Sequence, residues 1–194
     1  MAPRLIFQEE LMTDDDLKAR ALDCGASGAG LARVADIMFR EEFRPLCEAN
    51  RCGHYGRSWM CPPAVGEIGR MIASARTRQK ALVFMTIGEL KDSFDYRGMV
   101  AASKGHAQVS QAVAGQLAPD LENALLLGAG PCPVCEKCAQ PDREPCRFPE
   151  KAFASLEAHG VAVSELAKLA GLSYVNGRNS VTYFGALLFG RENS

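Results

Sequence analysis

Hydrophobic positions change their period along this chain, and the changes mark its elements. Leu17, Ala21 and Leu22 recur at helical spacing behind Thr13 and the acid run Asp14, Asp15, Asp16. That pattern predicts a first helix with Thr13 as N-cap, carboxylates at its N–H end and Gly25 as its stop. Residues 28–34 then read as a short strand and 35–44 as an irregular or short helical link. Residues 68–75 are helical in pattern, and 80–87 contain the strand-like run Ala-Leu-Val-Phe-Met-Thr-Ile.

Residues 99–126 read as mostly helical. Pro119 marks either a break or the first turn of another helix, because proline lacks an N–H. The stretch 123–127 is alternatively a core strand, which a short apolar run does not decide. Residues 149–159 predict a helix, with Pro149 near its start, Phe153 and Leu156 on one face and Gly160 as its stop. Residues 163–169 predict another, capped by Ser164 and closed by Gly171. Asn176-Gly177 then turns the chain into a last strand over 181–189. The segments 47–69 and 130–149 have no period; Cys, Pro and Gly dominate them. The expectation is a single α+β domain over 1–194, with a small mixed sheet, packed helices and two cysteine-rich metal-binding loops at 47–63 and 130–149.

Composition narrows the function classes. At 194 residues and 47% hydrophobic, the chain can bury a core without covalent staples. Lys plus Arg number 22 against 23 Asp plus Glu, a net charge of -1, which argues against a general nucleic-acid or anionic-membrane surface. The opening residues reach Glu9, Glu10 and the 14–16 acids before any apolar run, unlike a secretory signal, and no stretch has the length of a membrane span. The expectation is a reducing, cytoplasmic setting in which clustered cysteines ligate a metal or do redox chemistry.

There are eight cysteines, and seven fall in the two aperiodic segments. Cys132-Pro-Val-Cys135-Glu-Lys-Cys138 is a Cys-x2-Cys-x2-Cys run, followed by Cys146. Three soft thiolates on so short a loop, with a fourth returning to them, suit one four-iron, four-sulfur cluster. Zinc is the alternative, although it more often uses separated Cys-x2-Cys pairs. Cys146 departs from the ferredoxin spacing and is followed by Arg147 where that motif has proline. Cys47, Cys52 and Cys61 suit a second cluster with one open iron, with His54 the nearest further donor, or else complete the first cluster. Cys24, beside Ala21 and Leu22, reads as a buried structural thiol.

Other residues carry less. Gly25, Gly28 and Gly30 follow a helix, where a dinucleotide loop follows a strand, so a helix stop and close packing explain them better. Gly128 and Gly130 let the chain turn into the second cysteine segment. Tyr55, Arg57, Trp59 and Met60 either shield a centre, shape a pocket or pack. Arg147 and Lys151 either offset a cluster's negative charge or face solvent. His106 lies in a helical stretch and His159 near a helix C-terminus, where the dipole favours a cation; neither is assigned to catalysis.

The order Cys47-x4-Cys52-x-His54-Tyr55-Gly56-x-Ser58-Trp59-x-Cys61-Pro62-Pro63, Gly130-Pro131-Cys132-x2-Cys135-x2-Cys138 and Pro145-Cys146-Arg147-x-Pro149-Glu150 resembles the predicted metal-binding proteins of the domain of unknown function 2284. The closing stretch from Gly171-Leu172 through Asn176-Gly177 to Tyr183-Phe184-Gly185 resembles that family's C-terminus. The resemblance spans nearly the whole chain. It implies metal binding through the seven cysteines outside Cys24 and sets Asn176, Asn179, Thr182 and Tyr183 near the metal; it implies no reaction. The expected function is that of an iron–sulfur protein with one or two 4Fe-4S clusters, acting in redox as an electron-transfer accessory to a partner protein. An enzyme with a small-molecule ligand at an open iron, positioned by His54, Tyr55 or Arg57, and a zinc-stabilised binding module are the alternatives.

Overall fold

The computed structural model describes residues 12–190, so the opening stretch with Glu9 and Glu10 lies outside the described residues. The elements follow in the order α1 (Asp14–Asp23), β1 (Gly28–Arg33), α2 (Phe43–Glu48), α3 (Ile68–Arg76), β2 (Lys80–Glu89), α4 (Tyr96–Leu117), β3 (Leu125–Gly128), β4 (Ala154–Ser155), α5 (Val163–Leu169) and β5 (Ser180–Phe189). One five-stranded sheet in the order β1-β2-β5-β3-β4 organises them. It is mixed: β3 and β4 are parallel and the other pairs antiparallel. The chain is an α+β single domain with several helices.

Both faces of the sheet are covered, which is why β2 and β5 read as continuous apolar runs. Ala81, Val83 and Met85 of β2 point to the same side as Phe184, Ala186 and Leu188 of β5, where Ala75 of α3 and Leu166 and Ala167 of α5 pack. Leu82, Phe84, Leu187 and Phe189 point to the other side, against Leu17 and Ala21 of α1 and Val113 and Leu117 of α4. The period of two is intact; each half of it has its own helical layer.

Local chemistry sets the ends of the elements. Thr13 caps α1 in a reciprocal box with Asp16: its hydroxyl accepts from Asp16 N–H at 3.2 Å and its own N–H donates to the Asp16 carboxylate at 3.0 Å. Gly25, at φ +99°, ends that helix. Leu22, expected on the packed face, is 47% exposed. In β1, a side chain on Gly30 would strike the Ala170 carbonyl beyond α5, so close packing accounts for that glycine.

Three local expectations are corrected. Residues 149–159 are not a helix: Ala154–Ser155 pairs with β3, Leu156 N–H donates to Gly128 C=O at 2.9 Å, and only Glu157–His159 makes a single 3-10 turn. The pairing partner on β3 overrides a local pattern that also fits a helix. The helix expected through 126 ends at Leu117, with Pro119 inside a 3-10 turn, and the alternative strand is β3. Ser164 is not the cap of α5; Ala162 occupies that position without a side-chain bond, while Gly171 does close the turn at φ +70°. The first cysteine segment is also not wholly aperiodic, because Cys47 lies on α2.

No helix among the described residues is long and apolar enough to cross a membrane.

Candidate metal centre

The second cysteine segment leaves the sheet at the end of β3, turns at Gly130 (φ +69°) and returns at β4. Within it Cys132, Cys135, Cys138 and Cys146 line one small cavity, together with Ser58, Trp59 and Met60 from the first segment and Val134 and Ala152. Local spacing accounts for three of these thiols. Cys146 comes back through two ties: the left-handed Arg143 (φ +58°) reverses the chain, and the Arg147 guanidinium donates to Lys137 C=O at 2.9 Å. That bond spends the Arg147 side chain on holding the loop shut.

The two cysteine segments meet. The Trp59 indole N–H donates to Glu144 C=O at 2.9 Å, spanning 85 residues of chain. Ser58, 4% exposed, sits between Cys61 and Cys138 with its single hydroxyl proton in reach of either thiol, and its oxygen accepts Met60 N–H at 3.2 Å. The peptide between Pro62 and Pro63 is cis, and Gly56 N–H donates to Pro62 C=O at 2.8 Å, folding the residues after Cys52 back on themselves.

Backbone donors point at the sulfurs. Burial pushes the Cys132 thiol up, opposed by the N–H groups of Val134 and Phe153. At Cys138 burial acts the same way, but the N–H groups of Gln140 and Trp59, the Ser58 hydroxyl and the Ala139 N–H outweigh it, and the thiol is lowered. Cys61 is pushed up to about 11, first by burial and then by the neighbouring Cys52, Cys47 and Cys132, against the Ser58 hydrogen bond. Burial also raises Cys47, where Arg44 opposes it.

All eight cysteines are free thiols. Among the described residues no group of three or more His, Cys, Asp or Glu side chains could hold a metal ion as the side chains stand. The donor set nevertheless fits a soft metal centre in its chemistry: four thiols face one cavity, and N–H groups are already aimed at two of them.

The remaining candidates fall elsewhere. Cys52 lies near enough to help raise Cys47, and Cys47 and Cys52 to help raise Cys61, yet none of the three lines the four-thiol cavity. His54, Tyr55 and Arg57 do not line it either; they form turns, with Tyr55 N–H on Asn50 Oδ1 and Arg57 N–H on His54 C=O. Trp59 and Met60 do. Lys151 stands over the Phe148 ring. Asn176 donates to Thr182 Oγ1 at 3.1 Å and Tyr183 to Met99 C=O at 3.1 Å, so these polar residues brace β5 and α4. Cys24 is half-buried against the α1–α4 core, and burial raises its thiol. His159, read as a cationic or polar residue at a helix C-terminus, ends a 3-10 turn instead: it is 6% exposed, and burial lowers it despite its bond to Ser155 C=O. Ser58 is the functional candidate that the spacing passed over; its position two residues behind Met60 and three before Cys61 was the available signal.

The family described as "Predicted metal-binding protein (DUF2284)" matches residues 31–189, which takes in both cysteine segments. No curated protein and no solved structure matches the chain.

Proposed function

The chain belongs to the DUF2284 family of predicted metal-binding proteins, and from that premise we propose that it is an iron–sulfur protein whose Cys132, Cys135, Cys138 and Cys146 hold a 4Fe-4S cluster and which exchanges single electrons with a partner protein in the cytoplasm. The observation that carries this reading is the shared cavity of those four thiols. A bound cluster supplies reversible one-electron oxidation and reduction. The chain's part is to hold, orient and shield. Val134 and Phe153 donate N–H to Cys132, and Gln140, Trp59 and Ala139 to Cys138, which favours sulfur carrying more charge and so the reduced state. Trp59 and Met60 cover the cavity from the first segment.

The nearness of Cys47, Cys52 and Cys132 to Cys61, each of which helps raise its thiol, favours a second reading. There the three thiols bind an additional cluster with an open iron for a small molecule, beside the first. Zinc in the four-thiol site is the third.

Anaerobically purified protein analysed for iron, acid-labile sulfide and zinc decides among them. The expected result is about four iron and four sulfide per chain, rising toward about eight if the second site is filled. Cys132→Ser and Cys138→Ser lose the visible absorbance, and Cys24→Ser keeps it. Stoichiometric zinc without sulfide overturns the proposal. A reduced-state spectrum altered by cyanide supports the open iron.

A further inference from the structure

Beside the four-thiol cavity runs a second, larger one of about 740 Å³, between α3, α4 and the stretch 150–159. That volume lies in the range of small-molecule sites. Its walls are apolar, with Met71, Leu125, Phe153 and Leu187 among them, and it shares Met60 and Ala152 with the four-thiol cavity. The charged groups at its edge are of both signs, Glu67 and Glu150 against Arg70 and Lys151, so the edge selects no net charge.

One polar ring stands in this apolar lining. His159 is 6% exposed, and its Nδ1 lies 3.1 Å from Ser155 C=O. A carbonyl only accepts, so Nδ1 carries the proton and Nε2 is left as a lone pair. Burial, which lowers this imidazole, keeps it in that neutral form. Nε2 has no hydrogen-bond partner among the described residues. Nε2 is not among the sealed, unpartnered side-chain atoms, so it is open to the cavity that His159 lines, where a donor can reach it.

The geometry points to a binding site for an uncharged small molecule with an apolar body and one O–H or N–H, which packs among Met71, Leu125 and Phe153 and donates to His159 Nε2. Such a ligand touches Met60 and Ala152, the two residues behind which the cysteines lie. Nothing in this site depends on what the cysteines hold.

Phenol and anisole are the probes: the same ring with and without the donor. With the full-length protein labelled with ¹⁵N-histidine, phenol is expected to move the His159 Nε2 resonance and leave His54 and His106 in place. Anisole is expected to bind about fivefold more weakly or worse, and not to move Nε2 in the same sense. Ala114→Trp and Gln111→Trp, two blocking changes on the α4 wall, are expected to abolish the phenol response while far-ultraviolet circular dichroism stays native. No movement with phenol, an equal response to anisole, or an undiminished response in a folded blocking variant overturns the site.

Discussion

Ser58 is a small polar group placed between two of the thiols of the candidate centre. Its hydroxyl serves Cys61 and Cys138, and it is buried where water cannot replace it. Ser58→Ala removes the one hydroxyl proton that Cys61 and Cys138 share, while leaving the backbone donors of Cys138 in place. The expected cost is about tenfold or more in metal retention, measured by chelator competition, with the reduction potential moving to lower values. An unchanged potential and off-rate would show that the hydroxyl only packs. Neither this role nor the acceptor in His159 was legible from the chain alone. The Cys132–Cys138 run declares itself within seven residues, whereas Ser58 works through residues far away in sequence. His159 has the same difficulty: a histidine before a glycine looks like a helix end until β4 replaces the helix.

At the scale of elements, β3 and β4 connect the sheet to the cysteines. Gly128 closes β3, and the Phe153 ring lies where its side chain would be. Phe153 also supplies an N–H to Cys132. Gly128→Ala therefore has two expected effects: a loss of about 1–3 kcal/mol in urea unfolding from overpacking, and faster loss of metal because the Phe153 backbone is displaced. A variant that is destabilised yet retains metal normally would separate the strand from the centre. Among the elements that were readable, α1 has a reciprocal cap, α3 and α5 set apolar residues at helical spacing, and β2 and β5 are long apolar runs. The element that was not, 149–159, consists of a two-residue strand and one 3-10 turn. Its conformation is imposed by Leu127 and Gly128, which pair with Ala154 and Ser155.

For the whole molecule, the buried imidazoles make stability depend on pH. His106 is 2% exposed between Phe84 and Tyr183, with Nδ1 3.0 Å from the Thr86 hydroxyl. Burial lowers it from 6.5 to about 4, against the opposing Phe184 carbonyl. Between those values the unfolded chain binds a proton that the folded chain does not, so stability is complete above about pH 6.5 and falls as the pH drops toward 4. Acidification from pH 7 to 5 is expected to cost about 2 kcal/mol through this group, and His159, also lowered, adds in the same direction. Urea unfolding at the two pH values should show a smaller loss in His106→Gln than in the natural chain. Equal losses would assign the acid sensitivity to carboxylates instead.

The strand order also has a consequence in time. β5 is the last of the described strands in sequence and lies at the middle of the sheet, paired on one side with β2 and on the other with β3. The register joins Lys80 to Phe189 and Glu89 to Ser180, so the central pairing closes loops of about a hundred residues. Until β5 inserts, β3 has no central neighbour and β4 has nothing to extend. Contacts this distant in sequence form slowly. The cysteines are thus synthesised well before the sheet that frames them is complete, and a chain emerging from the ribosome presents exposed thiols before it presents a shaped cavity. If the four thiols hold a cluster as proposed, its loading belongs after β5 docks, or requires a carrier that protects the thiols in the interval.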